Sequence, residues 1–162
     1  MRHALAFSLA LLAASPAFAT STDDWLEALA INSMSDVVDI MQGWCAQKEP
    51  QYNKDIDPAV AAWKSTNHSY LEKSRAILAT PIPADMKPIF SDYQQFKLQI
   101  AAVLGSATPQ QNQDLCLSFP SRLWMPELDL SLARQKSKAV YDQYLKERKD
   151  AEAGKGKPKP KP

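Results

Sequence analysis

From about residue 23 onwards the hydrophobic positions of this chain recur at helical spacing. Leu26, Ala30, Met34, Val37, Met41 and Trp44 follow one another at steps of three or four, the pattern of a helix with one buried face. They predict a first helix over residues 23–47, capped by Ser21 or Thr22. Asp23, Asp24 and Glu27 fall in its first turns, where acids suit the positive end of the helix dipole. Asn32, Ser33 and Ser35 weaken its middle, and Ser33 with Asp36 has the spacing of an alternative start. A second helix is predicted over residues 57–80, with Asp57 as cap and Pro58 in the first position, where a missing donor costs nothing. Its face reads Val60, Trp63, Asn67, Tyr70 or Leu71, Ser74 and Ile77, and Pro81 and Pro83 stop it.

The third predicted helix, residues 85–104, carries Met86, Ile89, Tyr93, Phe96, Ile100 and Val103 on one face, with Gly105 in the C-terminal capping position. Thr108 with Gln111 three residues on marks the start of a short helix that carries Cys116 and meets Pro120. The last segment is ambiguous. Leu128, Leu130 and Leu132 alternate like a strand, while Leu128, Leu132, Val140 and Tyr144 fit a helix. A lone strand would lack a partner, so a helix from about residue 126 to 149 is predicted, with residues 126–135 open between helical and extended. No internal repeat is present. The expected fold is all-α: an antiparallel bundle of four main helices plus one short helix, stapled by one disulfide.

Composition adds an address. The chain has 162 residues, 45% hydrophobic and 23% charged, within the range of one ordinary globular domain. Twelve prolines against four glycines disfavour a barrel or sandwich rich in tight glycine turns. Met1, Arg2 and His3 precede the apolar run of residues 4–14, and Ala17-Phe18-Ala19 supplies the small residues that a signal peptidase reads. That run is too short to cross ~30 Å of hydrocarbon as a helix. The expected organisation is a signal peptide over residues 1–19, a helical domain over 20–153 and a disordered Lys/Pro tail over 154–162, in a periplasmic protein with no transmembrane segment. Cys45 and Cys116 then allow one intramolecular pairing. The loop it closes is long enough for a chain-entropy contribution of about 4 kcal/mol. No Cys-x-x-Cys motif points to redox work.

Charge divides along the chain. Residues 20–153 carry 14 basic and 18 acidic side chains, a net −4, whereas the tail holds Lys155, Lys157, Lys159 and Lys161 and no acid. An acidic body argues against nucleic acid as a partner. The alternating tail suits an extended, solvated end that makes at most weak electrostatic contact with anionic surfaces.

Catalytic and cofactor chemistries find little support. After the leader there is one histidine, His68, on what reads as the polar face of the second helix, so an axial haem ligand paired with Met34 or Met41 is disfavoured. There is no Gly-x-Ser-x-Gly elbow, no Cys-x-x-Cys-His and no phosphate-cradling glycine loop. Asp36 and Asp39, like Asp23 and Glu27, share a helix face but lie outside the apolar stripe and read as solvated charges. Neither a metal nor any other cofactor is expected, and the chain is not expected to be an enzyme. Two binding candidates remain. The proline-bounded segment Phe119–Pro126 concentrates Phe119, Arg122, Trp124 and Met125, residue types that anchor protein interfaces. Trp63, Asn67 and Tyr70 share a face of the second helix and form a possible ligand pocket. The function expected is a non-catalytic periplasmic protein that binds another envelope protein, of inhibitor, immunity or accessory type. The alternative is a bundle that binds a small molecule or cofactor.

Overall fold

The computed structural model of the chain describes residues 21–155, with side chains left out for Arg148 and for residues 151–155. The expected signal peptide and the tail beyond Lys155 lie outside the described residues. Those described form six α-helices and no strand: α1 Thr22–Lys48, α2 Asn53–Thr66, α3 His68–Leu78, α4 Lys87–Gly105, α5 Pro109–Arg122 and α6 Ala133–Lys155. No helix among them is long and apolar enough to cross a membrane.

The first helix is the hub. Ser21 caps it through a complete capping box: its Oγ accepts from Asp24 N at 3.1 Å, and its own N–H reaches the Asp24 carboxylate at 3.4 Å. From there α1 runs unbroken for 27 residues, so Ser33 starts nothing. All five other helices pack against it. A helix covered on several sides cannot show a single apolar stripe. Of the expected stripe Leu26 is buried, whereas Ala30, Met34, Val37, Met41 and Trp44 are only half-buried; the other buried residues of α1 are Trp25, Glu27, Ala28, Leu29, Ile31, Ser35, Val38 and Cys45. The polar middle has a use: Asn32 and Asp36 tie α1 to α4, and buried Ser35 keeps the surface small.

The expected second helix is two helices, and it begins earlier than Asp57. Its start moves back to Asn53 because Ile56 is fully buried on the same side as Val60 and Trp63, at helical steps of four and three. Pro58 therefore lies inside the helix, and Asp57, instead of capping, accepts from Gln42 Nε2 at 2.7 Å. The break falls at Asn67. Both its backbone N–H (3.0 Å) and its side-chain amide (2.9 Å) donate to the Trp63 carbonyl, ending α2 before His68 opens α3. The apolar face nevertheless continues across the break through Leu71 and Ser74. Ser74 Oγ donates to the Ala28 carbonyl at 2.8 Å, a contact that holds α3 against α1.

The α4 helix follows a 3-10 turn at Ala84–Met86 and ends on Gly105 itself, with no left-handed glycine. Its expected stripe is buried at Met86 and Tyr93, but Phe96 and Val103 are exposed and Leu104 is buried instead. The Thr108–Gln111 capping box opens α5 as expected, and Pro120 sits inside that helix two residues before its end. Residues 126–132 settle as two 3-10 turns, Pro126–Leu128 and Leu130–Leu132, so the alternating leucines belong to neither a strand nor the last helix. Leu130 is buried and plugs the core.

That core lies in two clusters strung along α1. One gathers Ile31, Val38 and Cys45 with Ile56, Val60, Trp63, Leu71, Cys116, Phe119, Leu123 and Leu130. The other gathers Trp25, Leu26 and Leu29 with Met86 and Tyr93, flanked by Ile77, Ile89 and Tyr141. The Cys45–Cys116 disulfide is formed inside the first, with both residues fully buried and 5.5 Å between their Cα atoms.

Candidate functional site

Two surface features could bind something, and they lie over different clusters. The first brings both sequence-derived candidates together. Trp63 and Asn67, at the end of α2, share a small recess of about 240 Å3 with Leu123, Trp124, Met125 and Leu128. Trp63 forms its floor, fully buried, with Nε1 donating to the Leu128 carbonyl at 3.3 Å. Asn67 is spent on capping, and Tyr70 packs half-buried against the cystine core without lining the recess. The three residues grouped by helical spacing therefore do not form one pocket.

The segment Phe119–Pro126 is likewise only partly the loop expected. Phe119 and Arg122 are helical, because α5 continues through Pro120 to Arg122. Phe119 and Leu123 point into the core, which removes Phe119 from any contact surface. Arg122 is exposed, with Nε donating to Ser118 Oγ at 3.1 Å. Trp124 and Met125 remain on the outside at 56% and 51% exposure, side by side, between buried Leu123 and the turn at Pro126. Large apolar side chains held outward on a segment anchored at both ends form a stiff apolar rim.

The second feature had no sequence candidate. Helices α4 and α6 both pack on α1 but stand apart from one another. Between them runs a groove of about 540 Å3. Leu26, Leu29, Ala30 and Met34 form its α1 floor, Ile89, Tyr93 and Phe96 its α4 wall, and Val140, Tyr141 and Tyr144 its α6 wall. Phe96 and Val140 stand exposed on opposite lips. The groove stays open for a reason visible in α6. After buried Ala133, its first residue, a helical stripe needs apolar side chains at the next turn, and the chain places Lys136 and Ser137 there. That interruption was the signal available in the sequence, but it reads as an apolar gap only once α4 is known to lie opposite.

A polar network ties α4 to α1 beside the groove. The Tyr93 hydroxyl donates to the Asp36 carboxylate and accepts from Asn32 Nδ2, and Lys97 Nζ lies 3.0 Å from the same carboxylate. Burial first, and then the adjacent Asp36 carboxylate, push the Tyr93 phenol well above its usual 10.0. The phenol is thereby held neutral as a donor. This network accounts for Asp36, while Asp39 is exposed and pairs with Lys64 at 2.6 Å. The two carboxylates have separate partners and do not converge. Asp23 is exposed and Glu27 buried, the latter within 3.4 Å of Lys73 and 3.7 Å of Arg134.

His68 is exposed at the first residue of α3, whereas Met34 lines the groove and Met41 packs against the cystine core. Among the described residues no group of three His, Cys, Asp or Glu side chains is placed to hold a metal ion. The chain matches no protein-family model, no curated protein and no solved structure.

Proposed function

We propose that the protein is a non-catalytic binding protein of the periplasm that docks another envelope protein, as an inhibitor, immunity or accessory factor. One observation carries this reading: Trp124 and Met125 are held outward on a segment whose neighbours, Phe119, Leu123 and Leu130, are buried beside the cystine. Tryptophan and methionine are enriched at interface centres, and a segment already ordered loses little entropy on docking. Arg122, exposed one helical step away, supplies the charged edge such a contact uses. In this reading the helices serve as an antiparallel bundle that presents the rim. The Lys155–Lys161 tail adds only weak attraction to anionic surfaces.

In-cell crosslinking with affinity capture tests it. Trp124→Ala is expected to lose the partner and Arg122→Ala to weaken it, with melting temperature unchanged because both side chains are exposed. Capture of the same partners by both variants would overturn the rim as the contact surface. The groove between α4 and α6 favours a second reading, a carrier or sensor of a small molecule, with its site moved from Trp63, Asn67 and Tyr70 to the α1, α4 and α6 walls.

A further inference from the structure

The wall chemistry of the α4–α6 groove narrows what it can hold, and the inference that follows rests on the small-molecule reading above. The volume, about 540 Å3, lies in the range of roughly 300–1,000 Å3 that small ligands use. The floor and lips, including Leu29, Met34, Phe96 and Val140, are apolar. One cation interrupts them on the α6 side. Lys136 Nζ donates to the carbonyl oxygens of Pro126 and Glu127, which uses two of the three N–H bonds of its ammonium and offsets none of its charge. No carboxylate among the described residues forms an ion pair with it. Asp129, across the turn, accepts from Ser131 N at 2.9 Å and Ser131 Oγ at 2.6 Å and attracts Lys136 only from beyond ion-pair distance, a minor influence beside those hydrogen bonds. Asp92, on the α4 lip, carries the opposite charge and disfavours an anion on that side.

We propose that the groove binds one fatty carboxylate. Its alkyl chain lies along α1 between Phe96 and Val140, and its carboxylate meets the remaining N–H of Lys136. The charge on Lys136 selects the head, and the apolar walls select a single chain.

Native mass spectrometry and titration calorimetry with dodecanoate, dodecanol and dodecylamine, each below its micelle concentration, test this. Dodecanoate is expected to bind one to one, dodecanol about ten-fold more weakly for loss of one charged hydrogen bond, and dodecylamine more weakly still. Lys136→Gln is expected to bring dodecanoate down to the dodecanol level, while Lys136→Arg retains it. Val140→Glu, at a position 69% exposed and therefore tolerated by the fold, is expected to abolish binding of dodecanoate and dodecanol. If dodecanol binds as tightly as dodecanoate, or Lys136→Gln leaves dodecanoate unaffected, the carboxylate assignment is wrong although the groove still binds a chain. If none of the three binds, the carboxylate assignment and the small-molecule reading fall together.

Discussion

The two ends of α1 are built differently. Around Cys45 the chain closes itself with a cystine and a dense set of buried side chains from α2, α3 and α5. Around Trp25 fewer side chains are buried, α4 is tied on by the polar network at Asp36, and a groove stays open beside α6. The tryptophans report the same contrast. Trp44 Nε1 reaches Asn112 Oδ1 and Trp63 Nε1 reaches the Leu128 carbonyl, both at 3.3 Å, whereas the Trp25 indole N–H is buried with no acceptor among the described residues. The lesson is a division of labour: one end is fixed by covalent and apolar means, and the other keeps a recess by leaving α4 and α6 unsealed.

The cystine should dominate. Reduction, or Cys45→Ala with Cys116→Ala, is expected to cost about 4 kcal/mol. Thermal unfolding with and without reductant measures it, and an unchanged melting temperature would remove the covalent half of the contrast.

The polar tie ranks next. Tyr93→Phe leaves Asp36 and Asn32 short of a partner in a part-buried site and is expected to cost about 1–3 kcal/mol. The same hydroxyl gives a signature in pH. The folded phenol titrates above its unfolded value near 10, so its contribution is complete below that value and is lost as pH rises through the higher folded one. Denaturant titrations of the wild type are therefore expected to show an alkaline loss that Tyr93→Phe lacks. An identical alkaline profile for both would dissolve the tie.

A smaller effect belongs to the α1 cap. Hydrogen bonding to Ser21 holds the Asp24 carboxyl below its usual 3.8, so the stability it adds is present above that value and lost as pH falls through the lower folded one. Asp24→Asn is expected to soften the acid limb alone. Smallest of all is Trp25→Phe. It deletes a buried donor that has no acceptor among the described residues, so the lost packing is partly offset and the expected change is within about 1 kcal/mol. A large loss would mean that the indole N–H is satisfied after all.

Much of the fold was legible because helix signals are local. The Ser21 and Thr108 caps, the apolar face from Val60 to Ser74 and the stop at Pro81–Pro83 depend on neighbours a few residues away, and they appear as read. The misreadings come from tertiary packing. The stripe expected on α1 assumes one buried face, but a central helix is covered on several sides. Asp57-Pro58 looks like a helix start until burial of Ile56 extends α2 behind it. Asn67 reads as one more position on a continuous face, although its amide closes on the Trp63 carbonyl and divides the helix. Of the candidate contact residues, Trp124, Met125 and Arg122 lie outside as a binding surface requires, whereas Phe119 faces inward because α5 runs through Pro120. The groove was hidden because its floor and walls come from segments as far apart in sequence as Leu26 and Tyr144.

Amide hydrogen exchange, resolved by helix, tests the division most directly. Slow exchange is expected in α2, α5 and the part of α1 near Cys45, with α4 and the part of α6 beyond Val140 opening first and independently of them. Uniform protection that disappears from all six helices in one step would contradict it.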